Sequence, residues 1–202
     1  MKIKAFLFSL TLLSISHVGN SQNLSFGPMA GLNISSLNNL ENSSSKAGLL
    51  AGAFFNYSSK NWFGLGLQVV YNGLGAKLTT PVETINLNYI QVPLLATYYL
   101  AGSNKQGSFR PKFFAGPHIN FLMNAKNKDG KDLNPDNLYY KNAELGLTFG
   151  LGFNYAIINK TWLNFDVRYG VGLTDATQNS KTNITNNAFA VTLGLSFPLG
   201  NI

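Results

Sequence analysis

The side chains best suited to chemistry are a few ionisable residues in a weakly charged chain. After the first 21 residues the sequence has one histidine, His118, and histidine is the commonest general base beside a Ser or Asp nucleophile. Four charged residues, Arg110, Glu144, Asp166 and Arg168, fall in segments of alternating hydrophobicity. Asp166 and Arg168 are two residues apart, so they share a face if their segment is a strand. These five residues are candidates for a catalytic centre or for a buried polar network.

We expect a network that fills the interior of a barrel, with no catalytic, cofactor-binding or metal-binding residue. Charges in a narrow, low-dielectric interior are costly unless they are paired, so Arg110, Glu144, Asp166 and Arg168 should pair with one another. His118 should lie in mid-strand and face inward, whereas a catalytic histidine would serve better near a rim. A selectivity filter for small solutes is the alternative. The same inner face is expected to hold Gln68, Gln91, Asn120, Thr148 and Asn164.

Other patterns that suggest ligand binding have simpler interpretations. Residues 127–132 read Asn-Lys-Asp-Gly-Lys-Asp, which resembles part of a calcium loop but lacks the bidentate Glu that closes one. Asp-Gly is also an ordinary turn signal, and a turn is the expected structure. Without cysteine the chain has no disulfide, thiolate metal site or cysteine nucleophile. We therefore expect no metal or other cofactor.

The composition limits the class of protein. The 202 residues include 15 Lys and Arg and 8 Asp and Glu, a formal charge of +7, and charged residues make up only 11%. A soluble domain has roughly 25%. The hydrophobic content of 45% argues against intrinsic disorder. Lys and Arg are scattered without an aromatic–basic cluster, so nucleic acid is not an expected partner.

The first 21 residues have the layout of a secretory signal peptide. Lys2 and Lys4 precede the apolar segment 5–15, and the small residues Gly19 and Ser21 precede a cleavage point before Gln22. A membrane-spanning helix needs about 20 apolar residues, more than this segment offers. We therefore divide the chain into a signal peptide, residues 1–21, and a barrel domain, residues 22–202.

The rest of the chain alternates with the two-residue period of β-strands. In 143–157, Leu, Phe and Tyr occupy one face and Glu, Gly, Thr and Asn the other. Eight strands are predicted, at 26–35, 48–57, 63–71, 88–100, 109–124, 143–157, 163–173 and 189–197. Long polar links (36–46, 125–142, 174–187) alternate with short ones (58–61, 101–108, 158–160), although 79–84 is brief where a long link is due. This pattern predicts an all-β fold, an eight-stranded antiparallel up-and-down transmembrane β-barrel.

The chemistry of the two faces favours a membrane barrel over a soluble, lipocalin-like one. A soluble barrel would expose charged residues, yet the less apolar face here is rich in Gly, Asn, Thr and Ser. The apolar face suits lipid, which predicts the cell outer membrane as location and its lipid as partner. The orientation of 48–57 stays open because both its faces are apolar. Aromatic residues expected in interfacial girdles are Tyr57, Trp62, Tyr98, Tyr99, Tyr155 and Trp162.

Several stretches resemble the PorT-like, or porin-family, small outer-membrane β-barrels of Gram-negative bacteria. The resemblance rests on residues 27–35 (GPMAGLNIS), 89–95 (YIQVPLL), 114–117 (FAGP), 150–153 (GLGF) and 168–174 (RYGVGLT). It implies an outer-membrane barrel. Most members of that family have no assigned activity, and the founding type is linked to a secretion system.

We expect a non-enzymatic structural or interaction role, in which 36–46, 125–142 and 174–187 are displayed to an envelope protein partner or the barrel anchors an envelope or secretion assembly. Side chains can just fill the interior of eight strands, whereas aqueous channels need about 16. A small-solute pore is the first alternative. A lipid- or peptide-modifying enzyme that uses His118 is the second.

Overall fold

The computed structural model describes residues 23–58, 62–100, 105–158, 161–178 and 183–199. Each strand is antiparallel to the next and the last pairs with the first, which closes the barrel and confirms the predicted eight-stranded up-and-down fold. The predicted signal peptide, 1–21, lies outside the described residues. The strands are β1 (Asn23–Asn38), β2 (Ser43–Ser58), β3 (Phe63–Thr79), β4 (Val82–Tyr99), β5 (Phe109–Lys126), β6 (Ala143–Ile158), β7 (Thr161–Gly172) and β8 (Thr185–Leu199).

The two longest links fall at the same end of the barrel. One end, called the loop end, carries the links 39–42, 80–81, 127–142 and 173–184, and a 3-10 turn at Pro135–Asn137 lies in the third of these. The other, called the terminal end, carries the first residue of β1 and the last of β8. No helix in the described part of the chain is long and apolar enough to cross a membrane.

The wall has an apolar outer face and a polar or small inner face through most of its height. On β6, Leu147 and Leu151 are exposed, whereas Glu144 and Thr148 are buried. The orientation of β2 is now defined by Phe54, which is buried inside the barrel. The exposed apolar side chains of this wall are those that face the acyl chains.

Two residues expected in the aromatic girdles lie inside the barrel. Tyr99 is buried, and both Tyr99 and Trp162 stack around the guanidinium group of Arg110. Tyr99 has the inward alternation of Gln91 on β4, and Trp162 that of Asn164 on β7, so the two-residue period itself places both inside. Tyr57, Trp62, Tyr98 and Tyr155 do lie on the outer wall.

The strands extend farther at the loop end than predicted, and the predicted long loop 36–46 is wrong. The turn between β1 and β2 contains only residues 39–42, and β3 continues to Thr79. The alternation persists in these extensions but its sense is reversed: Leu74, Ile85 and Leu87 point inward while Asn86 points outward. A prediction that sought apolar residues on the lipid side therefore ended these strands too early.

The inward apolar residues of the extensions form a small core, here called the cap cluster, which occupies the lumen at the loop end. Residues of the long links, including Leu133, Tyr140 and Ile184, pack against it. The cap cluster resembles the interior of a soluble β-protein because this part of the barrel stands beyond the lipid-facing band. Its buried members are Leu37, Leu74, Ala76, Ile85, Leu87, Tyr89 and Ala125.

Glycines on the inner face of β6 make room for large side chains from β5. A Cβ at Gly150 would lie 2.6 Å from Cζ of Phe114 and still closer to the Val167 carbonyl oxygen. A Cβ at Gly146 would collide with the ring of His118 and with the Val171 carbonyl oxygen. The glycine positions predicted to face the lumen therefore have a packing role, because the interior is too narrow for two side chains at one level.

Candidate functional site: the barrel interior

All five predicted site residues have buried side chains inside the barrel, but they do not form one network. Arg110 lies near the terminal end, Asp166 and Arg168 lie in the centre, and His118 and Glu144 lie nearer the loop end. Of the four charges expected to pair, the structure brings only Asp166 and Arg168 together. The other charged residues lie at different heights along the strands, which explains why their side chains do not meet.

The central group joins opposite walls of the barrel. Arg168 Nη1 donates a hydrogen bond to Gln68 Oε1 at 2.8 Å, and Arg168 Nη2 donates to Thr192 Oγ1 at 3.3 Å. Gln68 is on β3 and Arg168 is on β7, four strands away in a barrel of eight, so this contact crosses the lumen. Asp166 forms ion pairs with Lys112 at 2.7 Å and with Arg168 at 3.4 Å.

A second group crosses the lumen beneath the cap cluster. Tyr89 donates its hydroxyl proton to Glu144 Oε1 in a short contact, and Asn186 Nδ2 donates to Glu144 Oε2 at 2.8 Å. Asn186 Nδ2 also lies 3.1 Å from the Tyr89 hydroxyl oxygen. These residues are on β4, β6 and β8, so the group connects three sides of the barrel.

His118 and Arg110 have local partners rather than each other. His118 Nδ1 lies 2.8 Å from Thr148 Oγ1 on the adjacent strand, in a buried contact. The Arg110 guanidinium lies 4.2 Å from the centre of the Tyr99 ring and 5.6 Å from that of Trp162. Cation–π contacts of this kind help to hold a positive charge in a partly desolvated place.

Two small cavities lie on either side of the central group. The one toward the terminal end has a volume of about 30 Å³ and is lined in part by Thr97, Tyr99 and Asn164. The one toward the loop end has a volume of about 20 Å³ and is lined in part by Gln91 and Asn120. Each has room for about one or two water molecules. Arg168, which lies 5.5 Å from the centre of the Phe114 ring, stands between them.

The long links at the loop end are joined into a cover over the cap cluster. Tyr140 forms a β-bridge with Thr177, and the Lys141 N–H donates to the Ala176 carbonyl oxygen at 2.9 Å. Burial, reinforced by the nearby Glu83 carboxylate, raises the pKa of Tyr140 above its ordinary value. These backbone contacts give the two links a defined relative position.

The segment considered as a calcium loop forms a turn. Asn127 Oδ1 accepts hydrogen bonds from the backbone N–H groups of Asp129 and Lys131 at 3.0 and 2.9 Å, and Gly130 has a φ of 83°. The side-chain carbonyl oxygen of Asn127 thus accepts hydrogen bonds within its own turn. Among the described residues no group of three or more His, Asp or Glu side chains is placed to hold a metal ion.

Three interior residues that join these groups were not predicted as site residues: Lys112, Tyr89 and Asn186. Lys112 is an even number of residues from Arg110 and His118 on β5, so it faces inward with them. This spacing could have identified it from the sequence. Tyr89 shares the face of Gln91 in the same way. Residue 186 was expected in the loop 174–187, so the alternation of strands gave no prediction for the direction of the Asn186 side chain.

A closed barrel with an apolar outer band and a polar, filled interior defines a transmembrane β-barrel protein. Residues 20–178 match the family described as "Outer membrane protein beta-barrel domain", which is most of the chain. The chain belongs to this outer-membrane β-barrel family, and its location is the cell outer membrane. No curated protein matches the sequence.

Solved structures of small outer-membrane barrels share the fold. Neisserial surface protein A aligns with a TM-score of 0.59 at 14% identity, over 86% of this chain and 97% of that one. Outer membrane protein OprG from Pseudomonas aeruginosa aligns with a TM-score of 0.52 at 15% identity, over 89% and 96%. Outer Membrane Protein W of E. coli gives 0.51 at 16% identity, over 89% and 100%. At these identities the likeness extends to the fold alone.

Proposed function

We propose that this protein is a non-enzymatic outer-membrane barrel whose loop-end surface binds a protein partner of the cell envelope. The observation that carries the proposal is the cover at the loop end, where two long links are joined by backbone contacts above an apolar cluster. Such a surface loses little conformational entropy on binding because it is already ordered.

A turn in this cover displays two large apolar side chains. Asp136 and Asn137 have φ values of 53° and 56°, in the left-handed region that Asp and Asn adopt more readily than other non-glycine residues. Asn134 holds the turn: its Oδ1 accepts the backbone N–H groups of Tyr139 and Tyr140, each at 2.9 Å. Leu138 is 55% exposed and Tyr139 is 59% exposed as a result. Exposed tyrosine is among the residue types that contribute most to binding at protein interfaces.

The filled interior supports a structural role over a small-solute pore. Wall-to-wall contacts of Arg168 and of Tyr89 cross the lumen at two levels, and the cap cluster occupies the loop end. A single-channel recording in a planar bilayer should therefore show no steady, large conductance. A stable open level of large conductance would favour the pore.

The surroundings of His118 support a structural role over catalysis. Its hydroxyl partner, Thr148, is itself buried in mid-barrel, and the cavity beside both residues, about 20 Å³, is too small for a lipid or peptide chain. We expect His118→Ala to leave lipase, acyltransferase and protease activities of the purified barrel at the level of a protein-free control. Activity that is present in the parent and lost in the variant would contradict this assignment.

The stretches that resemble PorT-like barrels support a more specific proposal, that the partner belongs to an envelope or secretion assembly. Residues 89–95 are the most distinctive of these stretches and form the middle of β4. They face lipid and lumen and do not contact a partner at the loop end. The resemblance therefore suggests the assembly but not the contact surface.

Cross-linking and purification from the native outer membrane tests the proposal. A stoichiometric companion should accompany the parent barrel and should be lost when Leu138 and Tyr139 are both changed to Ser. Val82→Ser is the matched control, because Val82 is 91% exposed at the turn between β3 and β4. Loss of the companion in the control as well, or its retention in the double variant, would refute this docking surface.

A further inference from the structure

Near the loop end, β4 continues past the end of its neighbour β5. The last pair between the two strands joins Asn86 to Lys126, whereas β4 begins at Val82 and pairs with β3 from its first residue. The segment 82–85 therefore has one edge without a strand beside it. This segment reaches beyond the lipid-facing band, where water solvates an unpaired edge that lipid would not tolerate.

The backbone of β5 shows which residues of β4 face that edge. The Ala125 carbonyl oxygen accepts the Leu133 N–H at 2.8 Å, and the Asn127 N–H donates to the Lys131 carbonyl oxygen at 3.0 Å, so Ala125 and Asn127 both turn away from β4. Successive residues of an antiparallel strand direct their backbone groups to opposite neighbours. Lys126, which lies between the two, therefore directs its backbone groups to β4.

Thr84 directs its N–H and its C=O to the open edge. Asn86 pairs with Lys126 and so faces β5, and Thr84, two residues earlier, faces the same side. No residue that the structure describes makes a hydrogen bond to the Thr84 backbone on this side. A backbone donor and a backbone acceptor of one residue therefore lie side by side without a strand partner.

Other strand ends at the loop end are continued by hydrogen bonds to the links. On β5, the Leu122 N–H donates to the Asn142 carbonyl oxygen at 2.9 Å, and on β6 the Leu145 carbonyl oxygen accepts the Leu173 N–H at 2.8 Å. The open edge at Thr84 is therefore a specific feature of β4 and not a general loosening of the barrel rim.

A cleft of about 390 Å³ lies between this edge and the turn that follows β5. It is lined by residues 81–84 on one side and 127–129 on the other. Ligand pockets have volumes of about 300–1,000 Å³, so the cleft is large enough for a short segment of polypeptide. Glu83 Oε1 accepts a hydrogen bond from Asn127 Nδ2 at 3.3 Å, which ties the two sides of the cleft together.

We propose that this cleft binds an extended polypeptide segment, which adds to β4 as a short antiparallel strand. One residue of such a segment presents an N–H and a C=O that match those of Thr84, in the way that peptides add to an exposed sheet edge. Its side chain stands beside that of Thr84, where a β-branched residue packs well. The lining carries both signs of charge, from Glu83, Lys128 and Asp129, so it does not favour a simple ion.

The cleft is separate from the turn that displays Leu138 and Tyr139, since neither residue lines it. The peptide site therefore does not rest on the docking surface proposed above. Its test leaves Leu138 and Tyr139 unchanged, so either proposal can fail without the other.

The test is an NMR titration of the full barrel, labelled with nitrogen-15 in detergent micelles, with the acetylated and amidated hexapeptide KTVTVK. Thr84→Pro removes the N–H at the open edge, and proline is tolerated in a strand where its missing N–H had no partner. Thr84→Val is the matched control, because it keeps the N–H and the β-branched shape. Amide shifts should concentrate at 82–86 and 127–129 in the parent and in Thr84→Val, and Thr84→Pro should bind the peptide about tenfold more weakly.

A second probe, the same hexapeptide with methyl groups on its four central backbone nitrogens, tests the main-chain contact from the side of the ligand. It should bind the parent barrel about tenfold more weakly than KTVTVK, because it lacks the N–H groups that donate to the Thr84 carbonyl oxygen. This comparison uses only the parent barrel, so it decides the matter even if Thr84→Pro does not fold. Resistance of the unheated barrel to unfolding during gel electrophoresis shows whether each variant is folded.

Four results would overturn the proposal. These are an unchanged Thr84 amide signal in the titrated parent, equal peptide affinity of folded Thr84→Pro and Thr84→Val, undiminished binding of the methylated peptide, and the same amide shifts with maltohexaose in place of the peptide. The last result would assign the cleft to a saccharide.

Discussion

Replacement of Asp166 by Asn tests the charge arrangement inside the barrel. Asp166 is the shared counter-ion of Lys112 and Arg168, at 2.7 and 3.4 Å, and all three side chains are buried. Asparagine keeps the shape of the side chain but removes its charge, so two buried cations are left to repel each other. Removal of one partner from a buried ion pair costs about 3–5 kcal/mol, and we expect a loss of that size in the free energy of unfolding.

Replacement of Arg168 by Met should cost less, although it removes more hydrogen bonds. Lys112 still neutralises Asp166 in this variant, so no charge is left without a counter-ion. The hydrogen bonds to Gln68 and Thr192 are lost, but these partners are neutral, and we expect their loss together to cost about 1.5–3 kcal/mol. The expected order is therefore a larger loss for Asp166→Asn than for Arg168→Met.

Urea-induced unfolding of the barrel in lipid vesicles, followed by tryptophan fluorescence, measures both losses. The double variant should lose less than the sum of the single variants, because removal of Arg168 leaves only one unpaired cation. An Arg168→Met loss equal to or above that of Asp166→Asn, or strictly additive losses, would refute the shared counter-ion.

Three further substitutions test the wall and the loop-end group, each by the same unfolding measurement. Leu151→Arg puts a charge on the lipid-facing side and should cost about 2–4 kcal/mol; an unchanged stability would mean that this face is not in lipid. Tyr89→Phe removes the hydroxyl that donates to Glu144 and should cost about 1.5–3 kcal/mol, whereas a neutral effect would show that this crossing contact carries no energy. Gly150→Ala places a Cβ against the Val167 carbonyl oxygen and the Phe114 ring and should cost about 1–3 kcal/mol; Phe114→Leu in the same chain should restore only the part due to the ring. No recovery in that pair would assign the cost to the backbone.

Alternation in the sequence is enough to predict the strand count, the closed topology and the direction of most side chains. The inner positions of β6, including Glu144 and Thr148, follow directly from the two-residue period. The same rule placed Asp166 and Arg168 on one face. It succeeds because each side of a barrel wall meets a different medium, and residue type must match that medium.

The alternation rule fails where the medium changes. Beyond Tyr71 the outer wall meets polar surroundings and the lumen is filled by the cap cluster, so Leu74 and Ile85 point inward. A rule that assigns apolar residues to lipid reads this reversal as the end of the strand. Sequence alone does not state the height at which the bilayer ends.

By itself the sequence determined that this chain is an outer-membrane β-barrel with a polar, crowded lumen. Only the tertiary structure decided which interior residues meet, such as Arg168 with Gln68 and Glu144 with Tyr89. Strand period sets the face of a side chain but not its neighbour across the lumen. That neighbour depends on the register accumulated around all eight strands and on side-chain reach, neither of which is a local property of the chain.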